Sequence, residues 1–103
     1  MTFEIIWHPK AEITLQDEMN FILAKWNQQE VLKFYMLVLE NLDRLAINPR
    51  LGKFENKLKV FCMPISKQTT LYYDFDTSTQ TLQILLFWNN QRKPKELMKI
   101  LER

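Results

Sequence analysis

The segment LYYDFDTSTQTLQILLFWNNQRKP, residues 71–94, decides how the chain is read. Its first part alternates: Leu71, Tyr73 and Phe75 face one way and Tyr72, Asp74 and Asp76 the other, the pattern of a half-buried strand. The second part, Thr81 to Trp88, is apolar on both faces, with Leu82, Ile84, Leu86 and Trp88 on one and Leu85 and Phe87 on the other. A strand of this kind is central in its sheet or covered on each side. Asp76 to Gln80, DTSTQ, joins the two as a turn of short polar side chains that bond nearby backbone. The result is a hairpin that the rest of the chain is expected to cover.

Working upstream, Leu58 to Pro64, LKVFCMP, reads as the preceding strand, with Ser66-Lys67-Gln68 as the turn into the hairpin. Arg50 to Lys57 reads as a loop and contains Gly52, the one glycine of the chain. Before it, Gln28 to Ile47 is a helix ended by Asn48-Pro49, because the residue before proline is pushed out of helical geometry. That helix carries one apolar stripe of Val31, Phe34, Tyr35, Val38, Leu42 and Leu45. A second stripe of Leu32, Leu39 and Ala46 implies two contacts, with the sheet and with another helix. Asn27 with Glu30 makes a capping box, and Trp26 with Val31 a hydrophobic staple, so the chain reverses there. The helix before the reversal spans Pro9 to Trp26, with Leu15, Met19, Ile22, Leu23 and Trp26 on one stripe and His8 as its cap. Phe3 to Trp7 is a short opening strand.

Downstream, Asn89 to Lys93 is a polar loop, and Pro94 opens a last helix with Leu97, Met98 and Leu101 on one side. The predicted order is β-α-α-β-β-β-α. A helical hairpin packed on a mostly antiparallel four-stranded sheet makes a two-layer α+β fold, expected as a single domain over residues 1–103.

Composition narrows the function classes. One cysteine, Cys62, excludes an internal disulfide, and one histidine beside it leaves no Cys/His metal cluster, so neither metal nor cofactor is expected. Glu4 and His8 interrupt any apolar N-terminal run, and no segment approaches the roughly 20 residues of a membrane span. A cytoplasmic protein without a membrane partner is the expectation. The net charge of +2 is unevenly placed. Residues 1–49 sum to −3, residues 50–67 to +4, residues 68–90 to −2 and residues 91–103 to +3. This asymmetry suits an acidic or nucleic-acid partner meeting the second half, and equally a sheet edge protected by lysines. His8 could act as a general base only with a partner to orient it, and Cys62 as a nucleophile only with a base to activate it. Neither helper is evident, so a cap and a small buried apolar residue are the simpler readings.

Several of these stretches together resemble the RelE/ParE toxins of bacterial type II toxin–antitoxin pairs. They are Trp7-His8-Pro9 followed by Ala11, Leu45-Ala46-Ile47-Asn48-Pro49 followed by Gly52, and LYYDFD…ILLFWNNQRKP. The resemblance covers essentially the whole chain and implies the two-layer fold just derived, a cytoplasmic location and an antitoxin that holds the protein inactive. Its two branches differ in target. RelE-like members cut messenger RNA on the ribosome, and ParE-like members inhibit DNA gyrase by binding. For the first, Lys57 and Lys59 would match the bases of the second strand and Arg92 the loop arginine. Thr70 and Met98, however, stand where an arginine and a tyrosine are expected. For the second, Leu86 stands where many sequences carry an arginine. The missing acid and base favour the ParE-like branch, with Arg50, Lys53, Lys57, Lys59, Arg92 and Lys93 as target-binding residues; the alternatives are the RelE-like ribonuclease and an inactive toxin-fold protein that serves as a binding partner. Trp7, Tyr72 and Phe87 are the expected antitoxin contacts, aromatics that one small core does not readily accommodate.

Overall fold

The computed structural model describes residues 2–101. A histidine and a proline set its first helix. His8 has extended backbone and its Nδ1 accepts from the Lys10 amide at 3.0 Å, while Pro9 supplies the first helical position. Strand β1 (Glu4–Trp7) runs into helix α1 (Pro9–Lys25), and α2 (Gln28–Ile47) follows after a two-residue reversal. Asn27 Oδ1 accepts from the Glu30 amide at 3.0 Å, the first half of the expected capping box, but the Glu30 carboxylate turns to Lys33 Nζ at 3.6 Å instead of back to the Asn27 amide.

The buried line of α1 is Ala11, Leu15, Glu18 and Ile22. It is rotated from the expected stripe, and Leu23 and Trp26 face solvent. Glu18 accounts for the rotation: it occupies a core position of helical spacing but is polar, so apolar periodicity alone skips it. On α2 the first stripe is correct at Phe34, Val38, Leu42 and Leu45, all buried, while Tyr35 is partly exposed. The second stripe does not pack as expected. Leu32 is 61% exposed and Leu39 39%.

The sheet has five strands rather than four, in the order β1-β5-β4-β3-β2. The added strand is β2 (Lys53–Glu55), which lies within the stretch read as a loop and pairs antiparallel with β3 (Val60–Pro64). Three residues are too few for an alternation to register. A one-turn 3-10 helix, Pro49–Leu51, precedes it, with Asn48 Oδ1 accepting from the Arg50 amide at 3.2 Å. Then come β4 (Thr69–Asp76), β5 (Thr81–Asn89) and α3 (Pro94–Leu101). The sheet is mostly antiparallel, and β1 joins the edge of β5 in parallel. Strand β5 is interior, paired on both sides, and β4 is the middle strand.

The register of β4 and β5 slips once. Tyr72 pairs with Leu86 and Tyr73 with Ile84, leaving Leu85 as an extra residue in a β-bulge. The expected face of Leu82, Ile84, Leu86 and Trp88 is therefore split. Leu82, Ile84 and Phe87 pack under the helical hairpin with Leu15, Ile22, Val38 and Leu42. Leu86 and Trp88 pack on the opposite face with Leu85, Val60, Leu97 and Leu101. Phe87 is 1% exposed, so the core accommodates the ring expected to remain for an antitoxin. Beyond Ile84, β5 outruns β1, and the Phe87 amide on that side donates to Thr14 Oγ1 of α1 at 2.9 Å.

Candidate target-binding face

Two sides of the sheet are covered very differently. The α1–α2 hairpin spreads over one, while the eight-residue α3 covers only part of the other. Antiparallel register places Lys53, Cys62 and Tyr72 in a row across β2, β3 and β4 on this second side. Glu55 belongs with them, two residues along β2 from Lys53. Cys62 and Tyr72 are half-buried. Burial first, then the Glu55 carboxylate, pushes the Cys62 thiol above its ordinary value, against a smaller pull from Lys53. Burial, then Cys62 and Glu55, likewise raises the Tyr72 phenol. Both groups are protonated at neutral pH, so Cys62 is no nucleophile and Tyr72 is a hydrogen-bond donor.

The far end of this side is a polar knot. Thr70 Oγ1 donates to Asn90 Oδ1 at 2.8 Å, and Asn90 Nδ2 donates to the Lys67 carbonyl at 3.1 Å. Thr70 is thus committed to holding the loop after β5. Beneath the knot Glu18 is buried, accepting from the Thr69 hydroxyl and from Asn89 Nδ2, the latter at 3.2 Å. A carboxylate of α1 thereby fixes the first residue of β4 to the last of β5. The sequence offered one signal for it, an acidic residue interrupting an apolar line, and no signal for its partners.

The basic residues do not gather on one face. Arg92 lies over Trp88, its guanidinium carbon 4.4 Å from the ring, and its NH2 donates to Glu96 Oε2 at 2.9 Å. Lys93 follows it, exposed, at the start of α3. Lys53 stands on β2 at the edge of the same side. Lys57 and Lys59, expected on a strand, lie instead in the turn between β2 and β3. Lys59 closes that turn with φ 59°, a left-handed conformation that no glycine signalled. Arg50 is on the hairpin side, its guanidinium carbon 5.3 Å from the Phe75 ring. It lines an open groove of about 560 Å³ at the end of the β4–β5 hairpin, with Phe61 and Phe75 from the hairpin side and Asp74, Asp76 and Gln83 from the other.

The expected antitoxin contacts also separate. Tyr72 faces the α3 side and Phe87 lies in the core, whereas Trp7 is half-buried at the end of β1, 5.9 Å from the Phe87 ring. Trp7 and Tyr35 line a shallow groove with Leu15 and Met19. His8 is held as a helix cap, with Nδ1 occupied. No helix among the described residues is long and apolar enough to cross a membrane.

No family model matches the sequence, and no curated protein matches it. The fold is similar to that of a chain in the crystal structure of the toxin–antitoxin complex RelBE2 from Mycobacterium tuberculosis. The TM-score is 0.61 at 19% identity, over 87% of this chain and 100% of that one. The likeness is one of fold, and fold alone does not fix activity.

Proposed function

We propose that this chain is the toxin of a type II toxin–antitoxin pair, acts on its target by binding, as ParE-like proteins do on DNA gyrase, and is neutralised by a cognate antitoxin. The shared fold supports the toxin reading. The observation that carries the binding reading is the state of the polar groups on the α3 side. Cleaving RNA through a ribose hydroxyl needs a base to take its proton, an acid for the leaving oxygen and cations on the phosphate. Here the thiol and the phenol are both held protonated, so neither is a base, Thr70 is tied to Asn90, and Arg92 is paired with Glu96. Lys57 and Lys59 stand in a turn beyond the strand that would present them. What remains is a half-buried aromatic and polar surface rimmed by Lys53, Arg92 and Lys93, suited to a protein contact. Arg50 lies over the Phe75 ring in the groove at the end of the β4–β5 hairpin, apart from these three.

The alternative, a ribosome-dependent ribonuclease, is the other arm of one experiment. Purified protein is added to a gyrase supercoiling assay and, in parallel, to translating ribosomes with toeprinting of the message. The expected result is loss of supercoiling with intact message, and Arg92→Ala weakening inhibition at least tenfold, the scale of an interfacial arginine hot spot. Codon-specific cuts with unaffected gyrase would overturn the proposal. Coexpression with the protein encoded beside it is expected to give a tight heterocomplex.

A further inference from the structure

The loop that follows β5 takes its shape from one buried residue, Asn89. Its backbone carbonyl accepts from the Arg92 amide at 3.0 Å, and its Oδ1 from the Gln91 amide at 2.9 Å. The first bond closes a four-residue turn and the second an Asx turn inside it. Arg92 therefore stands where Asn89 puts it, and from there its guanidinium lies on the ring of Trp88. Its ion pair with Glu96 is exposed and holds it only weakly.

The two ends of the Asn89 amide differ only in chemistry, since Oδ1 accepts and Nδ2 donates. Turned over, the amide would set Nδ2 against the Gln91 N–H, donor against donor, and the Asx turn would be lost. What meets its other end decides between the two. That group is Glu18 of α1, whose Oε2 accepts from Nδ2 at 3.2 Å, while the hydroxyl of the buried Thr69 donates to Oε1. An acceptor at this place admits Nδ2 alone and leaves Oδ1 for the loop. Packing does not call for a carboxylate here. Ala11, Leu15 and Ile22 fill the same buried line, and burying a charge carries a desolvation cost that an apolar side chain avoids. What Glu18 adds is a direction. We propose that Glu18, under the helical hairpin, is the positioning residue for Arg92 on the opposite side of the sheet, acting through the amide of Asn89. Its consequence for the target rests on the reading of Arg92 as a target contact; the positioning itself does not.

Nuclear magnetic resonance on the full chain tests the two separately. In wild type the Arg92 side-chain protons are expected upfield, shielded by the Trp88 ring, and the Gln91 and Arg92 amides are expected to exchange slowly. Glu18→Met keeps an unbranched chain but offers no carboxylate. It should move the Arg92 protons to their solvent-exposed positions and speed exchange of both amides about tenfold or more, the scale of one hydrogen bond to a charged group. Glu18→Gln, which still presents Oε1 to Asn89 and Nε2 to the Thr69 oxygen, should keep the wild-type shifts. Amides of β1 and α2 report that the fold is intact. Should Glu18→Met not fold, Thr69→Val asks the same question, since it frees the other carboxylate oxygen without touching Asn89, and the same loosening is expected of it. Unmoved Arg92 protons in the folded variant overturn the proposal. So do Arg92 protons already at solvent-exposed positions in wild type, or a Glu18→Gln as loose as Glu18→Met. In the gyrase assay, Glu18→Met is expected to weaken inhibition as Arg92→Ala does. Displaced Arg92 protons with undiminished inhibition would uphold the positioning role and remove Arg92 from the target contact instead.

Discussion

The two sides of the sheet make the instructive comparison. Under the helical hairpin, Leu71, Tyr73, Leu82 and Ile84 are completely buried, and the one phenol among them is fully employed. Tyr73 donates to the Pro49 carbonyl at 2.7 Å and accepts from the Gly52 amide at 3.0 Å. Gly52 is there because of that contact: a Cβ would run into the Tyr73 hydroxyl and come within 2.7 Å of the Cys62 carbonyl. Across the sheet the second phenol, Tyr72, is half-buried beside a thiol and a carboxylate. Adjacent residues of one strand thus do different work. The hairpin side supplies the stability that lets the α3 side remain polar and partly open.

Four measurements can break or sharpen this contrast. The largest effect is expected from Ile84→Ala, which leaves a cavity under the helical hairpin and should cost about 2–5 kcal/mol in urea unfolding. Wild-type stability for that variant would mean β5 is misplaced. Leu97→Ala, under the shorter cover of α3, should fall at about 2 kcal/mol, the low end of the same range, because a helix end can settle into the gap. If it matched or exceeded Ile84→Ala, the two sides would be equally structural.

Third is the alkaline limit of stability. Burial outweighs the Gly52 amide and pushes Tyr73 up to about 12. The folded state therefore holds that proton where the unfolded chain has lost it. The stability this gives is complete below the ordinary tyrosine value and is lost as pH rises through the folded one. The loss is up to about 3 kcal/mol between roughly pH 10 and 12. Tyr73→Phe should start lower, leaving Gly52 N–H unsatisfied, and show a shallower decline, whereas Tyr72→Phe should leave stability at neutral pH within about 0.5 kcal/mol of wild type. Identical alkaline profiles for wild type and Tyr73→Phe would sink the assignment. The smallest effect concerns the turn, where Asp76 accepts from the Ser78 hydroxyl at 2.6 Å and amide at 2.8 Å. These bonds hold its carboxyl below the usual range, so its contribution is present above the ordinary carboxylate value and lost as pH falls through the folded one. Asp76→Asn should flatten the acid end of a melting-temperature profile slightly. An unchanged slope would show that the turn does not depend on the charge.

Charge, by contrast, did not foretell how the cations are distributed. The sequence pointed to six cations as one surface, and the fold divides them among the α3 side, a hairpin turn and the groove by Phe75. Lysines and arginines carry no periodicity that ties them to a face, so their grouping depends on strand register and on where turns fall. The row of Lys53, Cys62 and Tyr72 was invisible for the same reason, since it needs three strands in register. Glu18 with Thr69 and Asn89 likewise joins residues far apart in the chain that look like surface residues until the helix is laid on the sheet.

What the sequence determined by itself is what local physics specifies. Caps at His8 and Asn27, the stop at Asn48-Pro49, the polar turn after Asp76 and the inner stripe of α2 each depend on neighbours within a few residues. Together they set the helical hairpin, the β4–β5 hairpin and the two-layer class. Tertiary structure decided what depends on distant partners. A three-residue strand became β2 only because β3 was beside it. The bulge at Leu85 could not be read from a strand apolar on both faces, because slipping its register exchanges one apolar residue for another and leaves the pattern unchanged. The second stripe of α2 stayed outside because the sheet and α1 were already covered by the first, and helical periodicity records that a face is apolar without recording what meets it.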